Sequence, residues 1–571
     1  MQFIKTTLSG LIFILPLFCS AQSSLLPQGA KESWLLERMD IKLMNDSLIG
    51  FSATKPFSRK MVVESIQKQV GNAAATGDTA QGGTDKLSTL FTRTDRYNMH
   101  DAMMNSSEWV TGDLSSFQSK KPFLSAFYQT KGDFFQVNQK DFFLAINPVI
   151  QQIQSVETGN TGQRIFLNSK GVSFRGLIAK KIGFDLYATD NQERPPSFVQ
   201  QWEKKFDAVP GAGFYKPFKT TAYDYFDARG SIHFNATKYI NLQFGYDRNF
   251  IGNGYRSLFL SDFGNNYLFL KINTRIWKLN YQNLFTELSN GRSHGDQLLP
   301  KKYMTMHHLG LQATKWLNIG FFEAVVFGRQ NHFEFGYLTP IIFLRSAEQQ
   351  NGSSDNAFVG FDFKANIAHT LQLYGQVLLD EFVLNQVKAG NGWWANKQAI
   401  QVGGKYIDAF KIKNLDLQGE INFVRPFTYS HYDSVSNYAH SNQPLAHPLG
   451  ANFTELIGII RYQPLPKWQV QAKLIVFRQG LDTANSNFGS NIFILNTSRA
   501  SDYGYKTGNG VKSTGANLSL WIGYEVLENL FIDASLMYRK LSVPSTAALA
   551  QKSTLFSIGL RMNMFRREYD Y

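Results

Sequence analysis

The sequence predicts an all-β transmembrane antiparallel barrel of about 18 strands, preceded by a small N-terminal α-helical region on the periplasmic side. Three observations carry this prediction. From about residue 140 onward, hydrophobicity alternates with a period of two, in segments of about 9 to 11 residues, the length a tilted strand needs to cross a hydrocarbon layer. Connections between these segments alternate between tight turns and long loops rich in Gly, Asn and Ser, as in bacterial outer-membrane barrels. Composition excludes the alternatives. With 14% aromatic and 18% charged residues, the 571-residue chain is too aromatic for disorder. After the N-terminus it lacks the repeated apolar runs of about 18 residues that helical spans require. Its single cysteine cannot pair within the chain.

Residues 1–21 read as a secretory signal peptide. Lys5 supplies the basic start, Leu8 to Phe18 the apolar stretch, and Cys19-Ser20-Ala21 the small residues before a mature chain opening at Gln22. A lipid anchor on Cys19 is the rival reading, and the bulky Phe18 before it argues against that. Loss of Cys19 on cleavage suits export to an oxidising compartment.

Residues 22–138 are expected to form the periplasmic helical region. Leu35, Leu36, Met39 and Leu43 recur at helical spacing between Glu32 and Met44, as do Val62, Val63, Ile66 and Val70 between Ser58 and Val70. Asn72 to Thr84 reads as a flexible linker, and a third helical stretch is expected between Asp85 and Met104. Mutual packing in a small bundle explains these stripes, and nothing marks the region as an obvious lumen plug.

Residues 139–571 are expected to form the barrel. Candidate strands lie near 141–150, 170–180, 182–190, 226–236, 240–248, 267–276, 278–287, 305–314, 318–327, 357–367, 370–380, 397–409, 413–424, 454–463, 468–478, 517–526, 530–540 and 554–564. In 370–380, Leu371, Leu373, Val377 and Leu379 oppose Gln372, Tyr374, Gln376 and Asp380. In 414–423, Leu415, Leu417, Ile421 and Phe423 oppose Asp416, Gln418, Glu420 and Asn422. An even strand count returns both ends to the short-turn, periplasmic side. The final strand, with Phe556, Ile558, Leu560 and Met562 on one face, leaves only a short tail from Phe565 to Tyr571, as closure against the first strand demands.

Chemistry is sparse. Nucleophile-elbow, zinc-protease and phosphate-loop motifs are absent. His307 and His308 point to opposite faces of a strand and cannot chelate one ion. His431, His440 and His447, near Asp433 in one long loop, lack ligand spacing and read as solvated loop histidines. Asp380 and Glu381 diverge across a strand end. The expectation is a protein that is not an enzyme, with no cofactor, no metal and no nucleic-acid partner. Lumen-facing Arg175, Arg229, Lys473, Arg539 and Arg561, with loop cations Arg248, Arg256, Arg329, Arg345 and Lys397, contribute to a net charge of +14. They can attract anionic polymer or pair with lumen carboxylates and lipid phosphates. Asp416, Glu420, Arg229 and Arg539 are expected to pair across the interior and block it. Trp393 and Trp394 fall in a long external loop, where ring faces beside amides suit sugar binding; loop plugging or an interfacial girdle is the competing reading.

The stretch Tyr246 to Asp262, running on to Thr274–Trp277, resembles the Wzi capsule-assembly family. So do Arg329 to Arg345, Ser354 to Ala357 and Tyr374 to Phe382. The similarity is greatest to the RemB-like branch of gliding-motility proteins and reaches back to Pro56–Arg59. It implies an 18-stranded outer-membrane barrel whose outer face holds capsular polysaccharide or exopolysaccharide, serving capsule attachment, adhesion or gliding. Polar residues of these motifs and the loop aromatics form the candidate ligand-binding set: Arg248, Asn253, Tyr255 and Arg256; Arg329, Asn331, Arg345, Asp355 and Asn356; Asp380 and Glu381; Trp393 and Trp394. Expected partners are surface polysaccharide, outer-membrane lipid and the barrel-assembly machinery, with the chain a monomer. A porin-like channel for small solutes or sugars is the alternative function.

Overall fold

The computed structural model describes residues 23–571 apart from 45, 76–89, 161, 292–297 and 547–548. The signal-peptide expectation and most of the linker expectation therefore lie outside the described residues.

Alternation produces the barrel directly. The strands are β1 Phe142–Glu157, β2 Ile165–Ile178, β3 Ile182–Arg194, β4 Ala222–Asn235, β5 Ile240–Asp247 and β6 Tyr267–Ile276. They continue as β7 Leu279–Ser289, β8 Lys301–Gln312, β9 Leu317–Phe327, β10 Asn356–Ile367, β11 Leu371–Glu381 and β12 Lys397–Tyr406. The set ends with β13 Leu415–Val424, β14 Phe453–Tyr462, β15 Trp468–Leu481, β16 Val511–Leu527, β17 Leu530–Ser542 and β18 Gln551–Met562. Each pairs antiparallel with its sequence neighbour, and β18 closes on β1 with Met562 opposite Ile150 and Leu555 opposite Glu157. The eighteen segments expected from alternation are these eighteen strands. The lower edge of β1 is covered instead by a short strand, Phe135–Gln139, which pairs Phe135 with Ile146. The short strand thus covers Phe142–Ile146 below the seam. Outward residues such as Phe226, Val402, Phe361 and Phe556 are exposed, as lipid-facing side chains should be. Among the described residues no helix is long and apolar enough to cross a membrane; strands make the crossing.

The periplasmic helices are α1 Ser33–Leu43, α2 Arg59–Ala75 and α3 Arg93–Met104. Their apolar stripes meet in one cluster containing Leu35, Leu36, Met39, Val62, Ile66, Met99 and Ala102. A capping box starts α3: Asp95 N donates to Thr92 Oγ1 at 3.0 Å, and Thr92 N donates back to Asp95 Oδ2 at 2.9 Å. Although nothing in the sequence marks the region as an obvious plug, the helices close the periplasmic end of the barrel. Charges on the polar face of α1 cause this. Lys364 Nζ on β10 donates to Asp40 Oδ2 at 2.8 Å, and Arg461 on β14 reaches Glu37 at 2.6 Å. Arg38 holds Asp95 at 2.7 Å and Asp408 of the β12–β13 turn at 2.9 Å, and also pairs with Asp416. Burial opposes ionisation of Glu37, yet Lys405 and Arg461 hold its carboxyl well below the usual range.

From the other end, long loops fold inward. Residues 248–266 descend far enough for Ile251 and Phe250 to pair with Thr54 and Lys55 of the helical region. The loop's Leu258, Phe259 and Leu260 join Phe269, Met304, Met306, Phe322 and Phe358 from the barrel wall, with Tyr429 and Tyr438 from loop 425–452, in an apolar core. The phenyl rings of Phe259 and Phe322 stack at 4.3 Å. Part of the lumen is therefore a hydrophobic core built from loop and wall side chains. At roughly 1.5–3 kcal/mol per fully buried large side chain, this packing is a major part of what holds the loops inside.

Candidate functional site

The predicted site residues divide into three places. The first is the lumen. Arg248 Nε donates to Asn266 Oδ1 at 2.9 Å and its Nη2 to the Gly211 carbonyl at 2.9 Å. Asn253 accepts from Ser52 Oγ at 3.0 Å. The backbone N–H groups of Tyr255 and Arg256 donate to Glu420 at 2.6 and 3.1 Å, which pins the loop to β13. Beyond this, the tail after Met562 turns back into the barrel. Asp570 meets Arg256 at 3.4 Å and also contacts Tyr255 and Lys473, while Glu568 contacts Lys473. The Tyr571 ring packs edge-on against Trp202 and Phe263 of the surface loops. Asp416, Glu420, Arg229 and Arg539 do not pair with one another. Asp416 serves the plug, Glu420 the loop, Arg229 pairs with Asp227 at 2.5 Å, and Arg539 stacks 4.6 Å over the Phe198 ring. Two adjoining cavities of about 260 and 170 Å³ remain, separated by the segment Leu26–Glu32, which lines both.

The second place is the outer wall. Arg329, Asn331, Arg345 and Asp355 belong to the 328–355 connection. Arg329 Nη2 meets Asp355 Oδ2 at 2.6 Å, and Tyr337 OH donates to the same oxygen at 2.6 Å. Asn331 Oδ1 accepts from Lys301 N at 2.7 Å, and Arg345 pairs with Glu348 at 2.7 Å. Asn356 instead points inward and donates to the Ser436 carbonyl at 3.0 Å.

The third place is the extracellular face. Trp393 and Trp394 are half-buried, with ring centroids 6.3 Å apart. The Arg499 guanidinium lies 3.9 Å over the Trp394 ring, a favourable cation–π distance, and is held by Asp502 at 2.7 Å. Trp394 N donates to the Asp502 carbonyl at 2.9 Å, so this loop leans on the 482–510 loop. Arg425 approaches the Trp393 carbonyl at 3.4 Å, and Tyr503 is exposed beside them. Asp380 and Glu381 lie just below: Lys397 Nζ reaches Glu381 at 2.8 Å and Asp380 at 3.7 Å, and Tyr429 N donates to Asp380 at 2.8 Å. This face offers indole faces, guanidinium groups and the exposed carboxylates of Asp502 and Glu381, a set that can stack on sugar rings and bind charged groups. Arg425, Arg499, Asp502 and Tyr503 escape sequence reasoning because they lie 30 to 110 residues from the tryptophans.

The histidines differ from the sequence reading in one respect. His307 and His308 do face opposite sides, bonded to Glu323 at 2.8 Å and Asp362 at 2.7 Å. The loop histidines are buried rather than solvated, because loop 425–452 enters the lumen. His440 Nδ1 accepts from Ser289 N at 2.9 Å, and its Nε2 donates to the Asn266 carbonyl at 2.9 Å. Burial pushes His440 and His431 down to about 4. Among the described residues, one acidic trio has metal-like spacing, Asp101, Glu525 and Glu528. The Lys31 ammonium occupies its centre at 2.6, 2.8 and 2.6 Å.

No family model matches the chain, and no curated relative does. Among solved structures, it is similar to Wzi from Escherichia coli, an outer-membrane protein involved in group 1 capsule assembly and described as a carbohydrate-binding β-barrel. The TM-score is 0.55 at 13% identity, covering 95% of this chain and 100% of that one. OprD of Pseudomonas aeruginosa aligns with TM-score 0.41 and 9% identity over 73% of this chain and 94% of its own. OccAB2 of Acinetobacter baumannii gives 0.41 and 9% over 73% and 97%. The likeness to Wzi is one of fold. The chain is an outer-membrane β-barrel with an N-terminal periplasmic helical region.

Proposed function

We propose that this barrel is a non-enzymatic surface protein that holds capsular polysaccharide or exopolysaccharide, serving attachment, adhesion or gliding. The observation that carries the reading is the Trp393–Trp394 pair set among Arg425, Arg499 and Tyr503 on an extracellular face whose lumen is largely occupied by inward-folded loops. An occupied lumen favours binding over passage, and loop 425–452, which enters it, also braces the face above through Phe427 against Trp394 and Gly489. Support also comes from the carbohydrate-binding description of the structurally similar Wzi. The ligand is read as anionic because the cationic groups are the ones placed beside the rings.

The test is retention of acidic and neutral polysaccharides by cells displaying each variant at matched surface levels. Trp393→Ala with Trp394→Ala should weaken binding at all salt concentrations, by roughly 1–3 kcal/mol if both rings pack on sugar. Arg425→Ala with Arg499→Ala should cost most at low salt, since screening shortens to about 8 Å at 0.15 M. Retention by every variant equal to the parent removes this site.

A further inference from the structure

The 328–355 connection does not cap the barrel mouth. It folds down over the outward side of β8, β9 and β10. Strand parity establishes this. Even-numbered residues of β9 face the lumen, where Phe322 stacks on Phe259 and Asn318 donates to the Gly50 carbonyl. Odd-numbered ones therefore face outward. Yet Glu323, Val325 and Phe327 are buried, as are outward-facing Tyr303, Thr305 and His307 of β8. Val325, Phe327 and Tyr303 pack against Tyr337 and Leu344 of the connection, with Phe333 and Ala347 at the margin.

Polar groups on this wall hold the connection down. Across the sheet, one outward row reads Leu242, Ile272, Asn283, His307, Glu323, Val359 and Leu379. Three polar residues interrupt a row that is apolar on both flanks. Left bare against acyl chains they would be expensive. Instead Glu323 accepts from the backbone N–H of Phe343 at 2.7 Å and of Leu344 at 2.9 Å while also bonding His307. Asn283 donates to the Pro340 carbonyl at 3.3 Å. Phe343 is held at φ 125°, a conformation that a bulky residue keeps only when its surroundings impose it.

Between Phe335 and Phe343 the connection carries a bare apolar crest. Phe335, Ile341 and Phe343 are 79%, 67% and 69% exposed, with Leu338 between them. The surrounding outward side chains are the lipid-facing ones, among them Ile319, Phe361 and Phe363 on the strands beside it and beneath it. An apolar crest of this size facing water would be unusual for a surface loop.

We propose that the 328–355 connection is a membrane-embedded flap, whose crest of Phe335, Leu338, Ile341 and Phe343 lies in the acyl chains of the outer leaflet. Lipid acyl chain is the occupant because the crest continues the lipid-facing girdle laterally, while the N–H groups of Phe343 and Leu344 within and beside it are satisfied on Glu323 and the Tyr337 hydroxyl on Asp355. The inference is independent of the polysaccharide reading.

The test places single nitroxide labels at Phe335→Cys and Ile341→Cys in a Cys19→Ser background, in the full chain folded into phosphatidylcholine vesicles. Phe361→Cys reports the lipid-facing wall and Tyr503→Cys the aqueous loops. Accessibility to oxygen over a water-soluble nickel chelate should match the Phe361 label. A ratio matching the Tyr503 label overturns the proposal. So does protection from both reagents, which would mean that protein covers the crest, as in a dimer. Should a label disturb folding, the parent chain is exposed to a phospholipid carrying a photoactivatable acyl chain. The tryptic peptide between Arg329 and Arg345 should then carry adducts as abundantly as peptides from β10, and absence of adducts there overturns the proposal equally.

Discussion

Lys364 of β10 grips Asp40 of α1 through both carboxylate oxygens, at 2.9 and 2.8 Å, and the same ammonium bonds the Gly50 carbonyl at 2.6 Å and Ser52 Oγ at 2.8 Å. Wall, helix and the following loop are tied at one point, with both charges buried. Removing the cation alone leaves a buried carboxylate uncompensated, at a cost of about 3–5 kcal/mol. Lys364→Met should therefore loosen the plug, lowering the thermal midpoint in detergent and raising single-channel conductance in planar bilayers. Adding Asp40→Leu should recover much of the midpoint. A Lys364→Met protein as stable and as silent as the parent would show that the pair does not secure the plug.

The C-terminal tail should act as a second closure. Deleting 566–571 spares β18, which ends at Met562, but strips Lys473 and Arg256 of Asp570 and Glu568. The barrel should still assemble and show heat-modifiable migration on gels. Its conductance should rise above the parent's, because the larger cavity beside Leu26–Glu32 loses one wall at Arg566 and Glu568. Steady closure of the truncated protein would assign the block to the loops and helices alone.

The wall was legible in the sequence and the contents of the lumen were not, and the difference is physical. Alternation over 9 to 11 residues reports which side chains face lipid, and it located all eighteen strands. It says nothing about what fills the interior. Loop 248–266 meets Thr54 and Lys55 across nearly 200 residues of chain, and the tail reaches Trp202 across more than 360. One signal was readable. Asn283, His307 and Glu323 fall on the apolar face of their strands, a polar row that lipid would not tolerate uncovered. Of the candidate site, the tryptophan pair stands at the surface, whereas Arg248, Asn253, Tyr255 and Arg256 are committed to internal bonds. Motif polarity alone does not separate a ligand contact from a strut.

Acid should release loop 425–452. Burial, reinforced by the nearby Lys302 and Lys301 and opposed by the bond to the Asn266 carbonyl, pushes His440 from 6.5 down to about 4. The folded state then binds the proton less readily than the unfolded one. Its contribution is present above pH 6.5 and is lost as pH falls through 4, amounting to about 3 kcal/mol. Asp101, pushed up to about 8 by burial, works in the opposite direction over an overlapping range, so the comparison must be with a variant. His440→Gln should reduce the loss of thermal midpoint between pH 7 and 4.5 relative to the parent. Parallel pH profiles for the two proteins would exclude His440 as the acid-sensitive group.

The turns at Lys180-Lys181, Ala368-His369 and Gln463–Lys467 lie on the side where the helices dock, as the His369 Nδ1 contact to the Lys42 carbonyl at 2.6 Å and the Asn98–Gln463 bond at 2.8 Å record. The loops carrying Trp393 and residues 482–510 lie at the opposite ends of the same strands. With the helices in the periplasm, a tag or protease site within 499–504 should be reached by antibody or protease on intact cells, while one at Lys180-Lys181 should be reached only after the outer membrane is permeabilised. The 499–504 insertion should also lower polysaccharide retention, because Arg499 lies over Trp394 and Asp502 holds it there. Labelling at Lys180-Lys181 on intact cells would invert the barrel. It would place the helical region outside the cell and remove the aromatic face from contact with any surface polymer.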